Sequence, residues 1–121
     1  MNKHAYMMAV HKNQKQIEIL LRLLDIKEND IYIHIDKKSN NISEDELKAC
    51  IHNAGCFFVD RISVGWARYS IVESTIIMLK AAINNGPYSY YHLISGQDLP
   101  LKPIVEINRY YDLNNPDWNN R

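Results

Sequence analysis

Three polar groups in this chain stand directly behind apolar runs, and their residue types could do chemistry together. His11 and Lys12 follow the run His4 to Val10, Asp36-Lys37-Lys38 follows Ile31 to Ile35, and Asp98 follows Tyr90 to Ser95 after a glycine. A carboxylate beside two lysines can accept from a ribose or a base while the ammonium groups face phosphate. That set suits a nucleotide, although by spacing alone a solvated, charge-balanced loop fits as well. Ser95-Gly96-Gln97-Asp98 taken by itself is a turn. His34 and Asp36 are two apart on one strand and share a face, a spacing compatible with a metal pair. Lys37 and Lys38 beside them repel a cation, and two ligands do not make a site, so no metal is expected. There is no Gly-rich phosphate motif, nucleophile elbow or zinc spacing, and no catalytic residue is assigned. Trp66, Arg68 and Tyr69 form a cluster before a helix. It reads as an anchor for the helix start, with a sugar-stacking platform as the alternative. His4 and His92 fall within strands as core or edge histidines, and His52 falls on a helix surface.

The elements that must carry these residues follow from periodicity. Strands are expected at 4–10, 31–35, 56–59 and 90–95. Ile17, Leu20, Leu21 and Leu24 recur at helical spacing and form one apolar face. Ser43 with Glu46 is a capping box opening a second helix, whose buried side is Leu47, Cys50 and Ile51. Gly55 is expected to stop that helix in a left-handed conformation. A second box, Ser70 with Glu73, opens a third helix ending at Asn85 before Gly86-Pro87. Only a narrow stripe of it, Glu73, Lys80 and Asn84, is polar, so the pattern predicts a largely buried helix. Pro103 begins a fourth helix with Ile104, Ile107 and Tyr111 on one side. Strands alternating with helices imply an α/β fold, three layers around a mostly parallel sheet. Polar groups at strand ends then share the carboxyl rim, where such sheets bind ligands.

Composition narrows the function. A chain of 121 residues is a single domain, 1–121. Fourteen basic residues balance fourteen acidic ones, so no basic field exists to hold a nucleic acid. No apolar run reaches the length of a membrane span. Cys50 and Cys56 look unpaired, which suits a reducing, cytosolic setting.

Four segments in order and spacing carry a family resemblance: His4-Ala-Tyr-Met-Met-Ala-Val-His11, Ile31-Tyr-Ile-His-Ile-Asp-Lys-Lys-Ser39, Val64-Gly-Trp-Ala-Arg-Tyr-Ser-Ile-Val-Glu73 and His92-Leu-Ile-Ser-Gly-Gln-Asp-Leu-Pro-Leu-Lys102. Together they resemble the N-terminal half of the core-2/I-branching β-1,6-N-acetylglucosaminyltransferase family, which also holds peptide O-xylosyltransferases. The resemblance implies a GT-A-like, Rossmann-like nucleotide-binding half of an inverting UDP-sugar glycosyltransferase that uses no metal or other cofactor. It implies donor contacts from Ala9, Val10 and His11, from Asp36, Lys37 and Lys38, and from Ser63, with Asp98 in the strand-end loop beside them. The acceptor would be a glycan or peptide. The family's catalytic glutamate and diphosphate-binding cations lie downstream of the matched region, and Glu73 and Glu106 fall on helices that fit no base position. The chain is therefore expected to be an incomplete donor-binding domain: a truncation, a fragment or one piece of a split enzyme. The alternative is a non-catalytic nucleotide-binding or interaction module. Eukaryotic members of the family are Golgi membrane proteins. Membrane association here would come through missing parts or partners, and the expected setting is a bacterial cytosol, in surface-polysaccharide synthesis.

Overall fold

The structure, a computed structural model, describes residues 3–64 and 68–95, with only the backbone described for 68–71 and 95. Trp66, Asp98, Glu106 and the expected fourth helix with Ile104, Ile107 and Tyr111 lie outside the described residues. The element order is β1 (His4–Val10), α1 (Gln14–Leu24), β2 (Asn29–Ile35), α2 (Glu44–Ala49), β3 (Gly55–Phe58), α3 (Arg68–Asn85) and β4 (Tyr90–Ser95). The strands form one sheet in the order β3-β2-β1-β4, and every pairing is parallel. The chain winds outward from β1 to β2 and β3, then returns past β1 to lay β4 on its other side. That reversal puts a topological switch point at the carboxyl ends of β1 and β4.

The central strands β1 and β2 are buried on both faces, which is why β1 reads as a nearly unbroken apolar run, whereas Phe57 of β3 and Tyr91 and Leu93 of β4 stay partly exposed at the edges. On one face Tyr6, Met8 and Val10 join Ile31, Ile33 and Ile35 beneath Ile17, Leu20, Leu21 and Leu24 of α1 and Leu47 of α2. All four predicted positions of α1 are buried. On the other face Ala5, Met7 and Tyr32 meet Met78 and Ala82 of α3. Polar groups are satisfied inside this layer. Tyr88 donates to Asp30 at 2.6 Å, Lys3 bridges to the other Asp30 oxygen at 2.9 Å, and the Tyr32 and Tyr88 hydroxyls are 2.6 Å apart.

The structure corrects several expectations. Asn29 and Asp30 do not break the chain before β2 but pair with His4 and Ala5 inside it. Gly55 does not close α2, which ends at Cys50 in right-handed conformation. It opens β3 instead, where a Cβ would collide with Asp30 Oδ1. His52 is exposed but lies past the end of α2, in the loop. Helix α3 begins at Arg68, so Arg68 and Tyr69 belong to its first turn rather than preceding it. It is not largely buried among the described residues: Ser74, Met78 and Ala82 are buried, whereas Val72, Ile76 and Ile83 are 54%, 44% and 58% exposed. A helix lying on a flat sheet hides one stripe, and no other described element covers its outer side. No helix among the described residues is long and apolar enough to cross a membrane.

Candidate functional site at the carboxyl rim

Because all four strands run the same way, the polar groups that follow β1 and β2 emerge on one rim, as does the chain leaving β4. Ala9 sits at the centre, paired with His34 on one side and Ser95 on the other, and Val10 pairs with Ile35. His11 is exposed just beyond. Asn13, at φ 64°, turns the chain at once into α1; asparagine tolerates this left-handed conformation better than most residues. An open depression of about 600 Å³, lined by Asn13, Gln14, Lys15 and Gln16, lies at that helix start, where first-turn N–H groups lack helical acceptors.

The loop after β2 is tied to its neighbours by a dense set of bonds. The Asp36 N–H donates to the Val10 carbonyl at 3.0 Å, and the Ser39 hydroxyl donates to the His11 carbonyl at 2.6 Å. Asp36 is only 8% exposed. Its Oδ1 accepts from the Lys38 N–H at 3.0 Å and the Val64 N–H at 3.3 Å. Oδ2 has no hydrogen-bond partner among the described residues. A carboxylate two residues before an N–H commonly makes such an Asx turn. Here the turn leaves Lys37 and Lys38 exposed on the rim.

The segment after β3 closes the patch. Ile62 accepts from the Lys37 N–H at 3.0 Å and donates its own N–H to His34 Nε2 at 3.0 Å. His34 is 1% exposed, and an acceptor Nε2 means that its neutral tautomer carries the proton elsewhere. Burial lowers its pKa, with Arg61 acting the same way and Asp36 opposing. His34 and Asp36 do share one side of β2 and its extension, but His34's ring nitrogen faces a backbone N–H. The described residues contain no group of three or more possible metal ligands. Ser63 is exposed between Ile62, which reaches back to His34 of β2, and Val64, which reaches Asp36 just beyond it.

The sequence reading missed Arg61. Its Nε donates to the Ile35 carbonyl at 3.2 Å, and Nη2 donates to the carbonyls of Asp36 at 2.9 Å and Ser39 at 2.5 Å. Its one local signal was a lone cation in an irregular stretch, which says nothing about acceptors more than twenty residues away. The structure thus brings Ala9, Val10, His11, Asp36, Lys37, Lys38 and Ser63 into one hydrogen-bonded rim, while Asp98 lies outside the described residues. Such a rim offers exposed ammonium groups beside a held carboxylate, the complement of a phosphate joined to a hydroxyl-bearing ring.

A family model described as Core-2/I-Branching enzyme matches residues 4–119. The chain is 26% identical over 106 residues to human beta-1,3-galactosyl-O-glycosyl-glycoprotein beta-1,6-N-acetylglucosaminyltransferase 3, covering 85% of this chain and 24% of that protein. It is 30% identical over 108 residues to enzyme 4 of the same name from Danio rerio, covering 85% and 25%. It is 31% identical over 111 residues to a Bos taurus enzyme of that name, covering 87% and 25%. The chain spans about a quarter of the length of these curated relatives. All three are animal proteins and lend no support to the bacterial source expected from the sequence.

Proposed function

This chain belongs to the Core-2/I-Branching enzyme family, and on that premise we propose that it is the nucleotide-sugar-binding part of an inverting glycosyltransferase. The donor is a UDP-sugar, with N-acetylglucosamine or xylose as the transferred sugar and a glycan or peptide as the acceptor. One observation carries this reading: segments 9–11, 36–38 and 63 are knit into a single rim by the bonds of Asp36, His34 and Arg61. Asp36 Oδ2 accepts from the uridine, and Lys37 and Lys38 meet the diphosphate as cations, without a divalent metal. Transfer also needs a base for the acceptor hydroxyl, typically contributing about 10²–10⁴-fold. Asp36 is engaged by two backbone N–H groups and by the donor, so the base is not assigned to it. The free thiols of Cys50 and Cys56 are consistent with a reducing compartment.

Calorimetry with UDP tests the reading directly. Wild type is expected to bind, and Asp36→Ala to bind about tenfold more weakly, roughly 1.4 kcal/mol, through loss of a charge-assisted bond. Equal affinity of the two proteins, or no binding by wild type, would remove the donor site from this rim.

A further inference from the structure

We propose that Arg61 is a positioning residue of the donor site: it sets the shape of the 36–39 loop and so the stance of Asp36 Oδ2, Lys37 and Lys38. This rests on the donor-site reading above and adds to it a residue that acts through others.

The carbonyls of Ile35, Asp36 and Ser39 converge on one guanidinium. Carbonyls turned to one side of a tight loop repel one another and would otherwise need water. A planar fork of five donors satisfies several at once in fixed directions, which a lysine ammonium does not. Arg61 is also the residue just before Ile62. Once its side chain holds the loop, its own backbone brings the Ile62 carbonyl to the Lys37 N–H, the Ile62 N–H to His34, and the Val64 N–H to Asp36 Oδ1. One cation therefore closes a ring of bonds between the ends of β2 and β3. Asp36 Oδ1 is used up in that ring, which leaves Oδ2 aimed by the loop rather than by any partner among the described residues. The remaining elements of the ring, the Asp36 N–H on Val10 and the Ser39 hydroxyl on His11, transmit the same placement to the end of β1.

The test combines amide hydrogen exchange of the nucleotide-free chain with UDP calorimetry, on wild type, Arg61→Ala and Arg61→Lys. Arg61→Ala should speed exchange of the Lys37, Lys38, Ile62 and Val64 amides about tenfold, leave the β1–β2 ladder at wild-type rates, and weaken UDP about tenfold. Added methylguanidinium should restore both partly, a rescue that a general loss of stability would not give. Should Arg61→Ala lose ladder protection as well, Arg61→Lys decides, with loop exchange and UDP affinity both expected between wild type and the loop-loosened limit. Wild-type loop exchange in a folded variant overturns the inference. So does a loosened loop with unchanged UDP affinity, which would make Arg61 a stabilising residue only. If wild type itself binds no UDP, the donor-site reading fails and takes the positioning role with it.

Discussion

His4 Nδ1 and His92 Nε2 stand 2.9 Å apart across the β1–β4 pairing, with ring planes 11° from parallel. Tyr6 stacks on His92 at 4.3 Å and Tyr90 on His4 at 5.0 Å, so four rings bind β4 to the centre of the sheet. Only one proton fits between the two nitrogens. Burial, and then the charge of His4, push the His92 pKa down from 6.5 to about 4.

Acid should therefore weaken this fold well above the carboxylate range. A histidine with a lowered folded pKa contributes stability that is whole above the unfolded value of 6.5 and is lost as pH falls toward about 4. His34, lowered chiefly by burial, acts in the same direction. Allowing for screening of the part-exposed ring, the His92 contribution is on the order of 2 kcal/mol. Urea denaturation at pH 7 and pH 4.5 measures it, and His92→Gln should shrink the difference. An unchanged slope in that variant would refute the account.

Asp25 joins the end of α1 to the loop before β3. Its two oxygens accept the N–H groups of His52, Asn53 and Ala54 at 2.9, 2.7 and 2.8 Å. Burial raises its pKa, but these three bonds and the His52 charge prevail and lower it below 3.8. Its stabilisation is present above 3.8 and is lost as pH falls through the depressed folded value. Asp25→Ala should cost about 1–3 kcal/mol in chemical denaturation, since several donors lose their acceptor. UDP affinity should not change, because the carboxylate is remote from the rim.

Gly55→Ala tests the packing at the other end of the sheet. The new methyl would meet Asp30 Oδ1, held by Lys3, and the Phe57 ring at 3.1 Å. Moving Asp30 also disturbs its bond from Tyr88. A loss of about 1–3 kcal/mol is expected. A melting temperature equal to wild type would show that Asp30 moves aside freely.

Nucleotide binding should be indifferent to divalent cations. Lys37 and Lys38 supply positive charge where a metal-dependent site gathers carboxylates. UDP titrations in EDTA and in Mn²⁺ are expected to agree within about twofold. A large gain with Mn²⁺ would make His34 and Asp36 candidate ligands again.

Much of the architecture was legible in the chain because its causes are local. The run His4–Val10 and the spacing of Ile17, Leu20, Leu21 and Leu24 record which sides are dry, and β1 and α1 follow from them. Ser43 caps α2 by accepting from the Glu46 N–H at 3.3 Å, but the returning half of the box is replaced: the Ser43 N–H donates to Gln14 Oε1 at 3.0 Å instead of to Glu46. The alternation of elements already implied parallel strands and a shared rim. Helix α3 was misjudged because periodicity records apolar residues, not whether anything lies over them.

What the sequence alone determined, then, was the identity of the elements and the residue types at strand ends, since hydrophobic period and capping act within a few residues. The order β3-β2-β1-β4, the meeting of His4 with His92 and the reach of Arg61 to Ile35, Asp36 and Ser39 were decided only in three dimensions. These contacts join residues 22 to 88 positions apart. Their geometry depends on strand register and on how two loops fold against each other, which no local pattern encodes.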